Sequence, residues 1–393
     1  MRTSILRVAA LAASATLFVA GIAHAAQPLL PAGGSAQGPP RVPVLRAAAG
    51  ASERKRVACS WALDPDAELS DTAPFLAESR EYWMTVEGSE LARGVPLQMT
   101  APGALIRVSP ARGSLGLRAG DFSVSMAGRK VGIARATDAE TLRKAGMDAS
   151  TGTQVLRLGD GSGAGRHVLR AANARGRYVV HVFEPASDRV LFARADRNHA
   201  LAGTPMRVSI GATDAGRKAP VASQALLVAP DGSSQSVAVH DAVGGGQEAV
   251  FTVPATASQA KGLWELQVFG DVGDVPRDAR TAFAVAQPTA RFSGIFGVDA
   301  ANLRVSLPVE AASPGRYEAR GTLYATASDG SLRPVSQAHA AAWMDAGDGM
   351  LVLQFARAHV PAGYGAPFEV RQLELNDQGR MAPIESRTRG ARF

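Results

Sequence analysis

Side chains able to do chemistry are thinly scattered along this chain. Six histidines follow residue 25, at His167, His181, His199, His240, His339 and His359, and none forms a two-histidine helical pair or stands beside a cysteine. A zinc site would have to be assembled from distant loops, so no metal ligand is assigned. The single cysteine, Cys59, has no histidine or lysine next to it to lower its pKa. It is expected as a small apolar core residue, and no internal disulfide is available. No serine sits in a glycine-flanked nucleophile elbow. The stretch Gly159-Asp-Gly-Ser-Gly-Ala-Gly165 lacks the lysine of a phosphate loop and the spaced acids of a calcium loop, and is expected as a flexible hairpin connection. Paired carboxylates for glycoside hydrolysis depend on separation in space, and stay open among the 35 acidic residues. No catalytic, cofactor-binding or metal residue is therefore named, and no cofactor is implied.

The elements that would have to position such groups are strands. In Gly262-Leu-Trp-Glu-Leu-Gln-Val-Phe-Gly270, Trp264, Leu266 and Val268 fall on one face while Glu265 and Gln267 fall on the other. Flanking glycines bracket a half-buried antiparallel strand of the kind found in β-sandwiches. The pattern returns at Gly176-Arg-Tyr178-Val-Val180-His-Val182 and, more weakly, at Gly315-Arg-Tyr317-Glu-Ala319. An all-β chain follows, with three consecutive sandwich modules of immunoglobulin-like or jelly-roll-like type.

Arg2 and Arg7 precede an apolar run from Val8 to Ile22, and Ala23-His24-Ala25 supplies the small residues a signal peptidase requires, so residues 1–25 are expected as a secretory signal peptide. Its apolar run falls short of the roughly 20 residues of a membrane-crossing helix, and no later stretch is long and apolar enough. A periplasmic or secreted protein is expected. Residues 26–54 are rich in Ala, Gly and Pro without a period, and are expected as a disordered leader. Order is expected from Lys55, with Arg56-Val-Ala-Cys-Ser-Trp-Ala62 as the first strand of an N-terminal sandwich over residues 55–195. One short helix is expected in that module, because Thr137-Asp-Ala-Glu140 has the form of a cap with an acid three residues on. Gly88-Ser89 is expected as a turn. Six strands in residues 196–288 fit an immunoglobulin-like domain, and residues 289–393 a C-terminal sandwich. Pro230-Asp-Gly232 and Ser328-Asp-Gly330 supply matching tight turns.

Composition excludes some classes. With 46% hydrophobic and 20% charged residues the chain is far from the signature of disorder. Losing residues 1–25 removes two arginines and no acid, leaving 40 basic and 35 acidic residues. The basic residues are interspersed with acids and form no run longer than Arg54-Lys55-Arg56, so no nucleic-acid partner is expected.

Four motifs in order, Ser79-Arg-Glu-Tyr-Trp83, Ala101-Pro-Gly-Ala104 with Ile106-Arg-Val-Ser-Pro110, Phe283-Ala-Val-Ala-Gln-Pro-Thr-Ala-Arg291 and Asn376-Asp-Gln-Gly-Arg380, resemble an exported Gram-negative bacterial family known as domain of unknown function 4785. The resemblance implies a sandwich architecture and an exported protein, and brings no catalytic residues. Two functions remain. One is a non-catalytic protein binding a protein or glycan partner through sandwich loops or edges. The other is a secreted hydrolase with a site in an inter-module cleft.

Overall fold

Alternating burial along the strands decides which side chains meet. The computed structural model describes residues 26–33, 38, 46, 53–69 and 73–393. The expected signal peptide and much of the expected leader lie outside these residues. The regular structure of the described chain is nearly all β-strand, with two short α-helices, and its sheets pack in pairs around three large apolar cores.

The first sandwich sets a sheet ordered Glu81–Glu87, Arg177–Phe183, Leu105–Pro110, Gln154–Leu158, Ile133–Asp138 against one ordered Val95–Met99, Gly165–Ala171, Phe122–Met126, Arg129–Val131. In the second, the sheet around Pro205–Asp214 and Val190–Ala195 faces the sheet around Trp264–Val272 and Val275–Ala286. The third pairs the sheet around Arg304–Ala311 with the order Val57–Ala62, Leu332–Met344, Gly315–Thr326, Gly365–Asp377, Ala382–Arg392.

The recurring glycine-aromatic strand anchors one core in each sandwich. Tyr178, Trp264 and Tyr317 are all buried. Each also ties its polar handle to backbone upstream: Tyr178 Oη donates to Arg175 O and Leu115 O, Trp264 Nε1 to Ala257 O, and Tyr317 Oη to Ser313 O. A buried Tyr or Trp that finds such a partner keeps its large apolar contribution without leaving a polar atom orphaned. Gly176 is required by space and by torsion, since its φ is +89° and a Cβ there would lie 2.9 Å from Ser114 Cα. The two Asp-Gly turns match in detail. Gly232 N donates to Ala229 O and Gly330 N to Ala327 O, while Asp231 and Asp329 each accept from the serine two residues on.

Several expectations need correction. The strand Val57–Ala62 is part of the third sandwich, paired antiparallel with Leu332–Met344, and is not the opening of the first. Cys59 is exposed and not a core residue, because the odd positions of this strand face outward from the sheet. Val190–Ala195, expected in the N-terminal module, pairs with Pro205–Asp214 of the second. The expected turn at Gly88-Ser89 opens a second short helix, Gly88–Arg93, closed by a capping box between Glu87 and Glu90. The other helix is Ala139–Lys144, capped by Asp138 one residue later than expected. Gly159 to Gly165 is no hairpin: it carries the chain from one sheet of the first sandwich to the other. His167, buried beside it, holds it through contacts of its ring nitrogens with Gly165 O (3.0 Å) and Ser162 O (3.1 Å).

The leader, expected to be disordered, is docked over part of its length. Gln27–Pro28 pairs with Ile295–Asp299, Leu29 enters the third core, and Leu30 N and Ala32 O bond to Gly390 O and Thr388 N. Burial of one leucine and backbone pairing at two strand edges oppose the entropy of the Ala/Gly/Pro-rich segment.

Trp264→Ala removes a buried indole and leaves a cavity, at an expected cost of about 3–5 kcal/mol. Glu265→Ala, half-buried on the opposite face, is expected to cost under about 1 kcal/mol. Thermal and denaturant melts of the two variants check the face assignment, and equal melting would reverse it.

Candidate functional site

Where the first two sandwiches meet, the chain buries an ion pair. Glu184 lies just past the strand Arg177–Phe183, Arg277 lies on Val275–Ala286, and both side chains are fully buried with Arg277 Nη2 2.7 Å from Glu184 Oε2. Every polar group of the pair is answered. Glu184 also accepts from the backbone N–H of Thr100 and Ala101. Arg277 donates further to Arg189 O, Pro276 O, Ser187 Oγ and Thr100 Oγ1. The dense donor set is what makes the burial tolerable, since an unanswered ion here would cost several kcal/mol.

Beside it, Asp278 is 5% exposed and accepts the backbone N–H of Trp83 at 2.7 Å. Burial pushes its carboxyl up to about 6, with the nearby Glu81 charge adding in the same direction and the Trp83 bond opposing. Glu81 is held below the usual range by its hydrogen bond to His181, at 3.0 Å. Trp83 packs edge-on to Phe269 of the second sandwich and lies under Arg280.

Above the buried pair opens a cleft of about 330 Å³, lined among others by Thr100, Asp188, Arg189, Asp214 and Asp274. This is the inter-module cleft a hydrolase would need, and it holds three carboxylates. Arg189 binds two of them, Asp274 at 2.5 Å and Asp214 at 3.3 Å. The Arg189 hydrogen bond holds Asp274 below its usual range, the opposite of what a general acid requires. Asp278, the carboxyl raised by burial, is not among the lining residues and is occupied by Trp83.

The remaining histidines are dispersed. His199 and His240 are exposed on strands of the second sandwich. His359 Nδ1 lies 3.0 Å from Ser336 Oγ, whose hydroxyl also reaches Trp61 O at 3.0 Å. With that hydroxyl donating to a carbonyl, the histidine donates to the serine and does not act on it as a base. Among the described residues no group of three His, Cys, Asp or Glu side chains is placed to hold a metal.

A second candidate lies on the third sandwich. Cys59 stands directly across the ladder from His339, whose Nδ1 lies 2.6 Å from Glu318 Oε1 and whose ring lies 4.9 Å from that of Trp61. The carboxylate fixes the proton on Nδ1. Thiol, imidazole and carboxylate thus follow one another across three strands, but no hydrogen bond joins Cys59 to the ring among the described residues. More distinctive is exposure: Val57 is 47% and Trp61 41% exposed on a strand at the open side of its sheet. The core expected for Cys59 is instead an outward face, which Cys59 shares with Trp61. Arg54-Lys55-Arg56 before the strand and Asp64-Pro65-Asp66 after it were the available sign of a solvent-facing edge.

Two tests follow from the junction. Arg277→Met leaves Glu184 buried without its cation and is expected to destabilise by about 3–5 kcal/mol, while adding Glu184→Gln recovers part of the loss. A double-mutant cycle on melting free energies checks this. Asp278 binds its proton more tightly folded than unfolded, so its contribution is fully present below the ordinary value of 3.8 and is lost as the pH rises through about 6. The loss is on the order of 3 kcal/mol. Glu81 acts oppositely, its contribution being lost as the pH falls through its lowered value. Asp278→Asn, which keeps an oxygen for Trp83, is expected to melt higher than the parent at pH 7 and alike at acid pH, read by thermal melts across pH.

Comparison with known proteins gives a consistent picture. Residues 48–184 match the N-terminal domain of the family described as domain of unknown function (DUF4785), and residues 289–391 match its C-terminal domain. A crystal structure of a DUF4785 family protein from Legionella pneumophila is 19% identical, covers 90% of this chain and 98% of its own, and superposes with a TM-score of 0.64, a likeness of fold. Trypsin-activated alpha-2-macroglobulin from Escherichia coli is 13% identical over 74% of this chain and 22% of its own (TM-score 0.23). The Escherichia coli adhesin FdeC is 15% identical over 81% of this chain and 99% of its own (TM-score 0.20). At such scores neither carries an argument. No curated protein matches the chain. With both terminal domain models matched in order, the chain belongs to the DUF4785 family.

Proposed function

We propose that this is an exported, non-catalytic binding protein that takes a protein partner on the open edge and outer face of its third sandwich, at Val57–Ala62. The carrying observation is the exposure of Val57 and Trp61 on a strand paired on one side only. Of the four tryptophans Trp61 alone is exposed, and Phe75, at 67%, is the one other exposed aromatic among the described residues. An unpaired edge presents backbone N–H and C=O groups in register, which another backbone matches better than a glycan does. Export rests on Arg2, Arg7, the apolar run from Val8 to Ile22 and Ala23-His24-Ala25. The hydrolase reading loses support because Arg189 occupies two carboxylates of the cleft.

A photo-crosslinking residue placed at Trp61 in the producing cell is expected to capture protein, and the same residue at Asp214 in the cleft is expected to capture little. The recovered protein is expected outside the cytoplasm with Ala26 at its N-terminus. Capture confined to position 214 would overturn the docking assignment, and an intact Met1 would overturn export.

A further inference from the structure

The edge strand carries its own complement. Leu63 N donates to Val335 O, and in an antiparallel ladder bonded pairs recur at every second residue. Residues 57, 59 and 61 therefore bond inward to Leu332–Met344. The N–H and C=O groups of Ala58, Ser60 and Ala62 point to the open side. Among the described residues no strand pairs there.

Edges of sheets are usually blunted by charge, proline or a covering segment. The far edge of this same sheet is treated in that way: Ala382–Arg392 carries Arg387, Arg389 and Arg392, and Leu30 and Ala32 bond across it. Val57–Ala62 has the sequence Val-Ala-Cys-Ser-Trp-Ala, without charge or proline. Its charges sit outside the strand, with Arg54, Lys55 and Arg56 outnumbering Glu53 before it and Asp64 and Asp66 after it, all exposed.

We infer that the partner of this edge is a second copy of the chain, docked by antiparallel pairing of Val57–Ala62 with itself about a two-fold axis at Cys59. This rests on the docking reading above and names its occupant. Reversing the strand about that axis brings the basic segment Arg54-Lys55-Arg56 of one copy to the Asp64 end of the other, at both ends of the ladder. Opposite signs thus meet without any second type of surface, which is what a self-complementary two-fold interface requires. In the same register Val57 lies opposite Trp61 of the second copy, on the same face. That aromatic–β-branched pair covers the two large exposed apolar side chains of the strand. Ala58 and Ser60 exchange the free backbone bonds. The two five-stranded sheets become one continuous sheet.

The register also makes a chemical prediction. Cys59 faces Cys59 of the second copy as a non-bonded pair, with Cα atoms roughly 4.5 Å apart, inside the range of about 4.4–6.8 Å that a disulfide spans. Oxidised glutathione supplies the oxidant for a test: the two thiols lose two protons and two electrons, one protein disulfide forms, and glutathione disulfide is reduced to two thiols.

The experiment uses the purified protein under reducing conditions in sedimentation, and oxidised glutathione with non-reducing electrophoresis. A dimer is expected that dissociates as salt is raised and persists in Cys59→Ser. Glutathione disulfide is expected to give a Cys59-linked dimer in the parent. Arg54→Glu with Arg56→Glu, and separately Asp64→Arg with Asp66→Arg, are each expected to weaken dimerisation about tenfold or more, and mixing the two variants is expected to restore a heterodimer. A monomer at every accessible concentration would overturn the inference, as would cross-linking at the same rate in the charge variants. Capture of other proteins at Trp61 by a chain that sediments as a monomer would overturn self-pairing alone. No capture at Trp61 together with a monomer would overturn the docking reading as well.

Discussion

The buried pair of Glu184 and Arg277 governs how the first two sandwiches meet. Its stabilising value is not the attraction of opposite charges, since desolvation cancels much of that. What matters is that each charge is useless without the other module. Glu184 needs Arg277 from the second sandwich, and Arg277 needs Thr100 from the first together with Ser187 and the Arg189 carbonyl from the connecting segment. Separating the modules would strand an ion on each side. A flat apolar interface would tolerate sliding, whereas hydrogen bonds to fixed backbone groups tolerate little. The cleft above inherits its walls from this contact, and Arg189 serves both, its carbonyl holding Arg277 and its guanidinium spanning Asp214 and Asp274.

Local strand chemistry was legible in the sequence because alternation has a period of two and acts over a few residues. Trp264, Leu266 and Val268 are buried on one face, and the glycine-aromatic motif recurs once in each sandwich. Both Asp-Gly turns were readable for the same reason, since their bonds join residues within four positions of each other. Which sheet a strand joins is a different kind of fact. Val57–Ala62 pairs with residues about 280 positions later, and nothing in six uncharged residues encodes that choice. Sequence order suggested the nearest sandwich. Alternation alone places Trp264 on the apolar face of its strand, while the upstream carbonyl partners of Trp264, Tyr178 and Tyr317 appear only in three dimensions.

The same limit explains the junction. Glu184 and Arg277 are 93 residues apart, and as single charges in Glu-Pro and Pro-Arg-Asp they resemble solvated loop residues. The helix Gly88–Arg93 was missed for a more local reason. It is only six residues long, too short for a helical period to show, and Gly88 at its first position mimics a turn. The Glu87 and Glu90 spacing of its capping box was the one signal available, but it departs from the usual serine or threonine start.

Edge management connects these observations to function. A multi-sandwich chain has many strand edges, and each is a site of unwanted pairing unless blocked. Here the N-terminal segment does double work in the third sandwich. Its earlier part, through Gln27–Pro28, Leu30 and Ala32, covers edges of that sandwich. Its later part, Val57–Ala62, extends a sheet by one strand and so moves the open edge outward onto itself. Arg316 fixes the approach to that strand by donating to Glu53 O and Lys55 O, and Arg54 lies over Trp343. An edge built only for closure would be expected to carry a lysine or proline at its centre. This one keeps its charges beyond its two ends, net basic before the strand and acidic after it, with valine, cysteine and tryptophan between them. In the proposed self-pairing such an order leaves the middle free to pair and lets the ends set the direction, because a parallel strand would set like charges together.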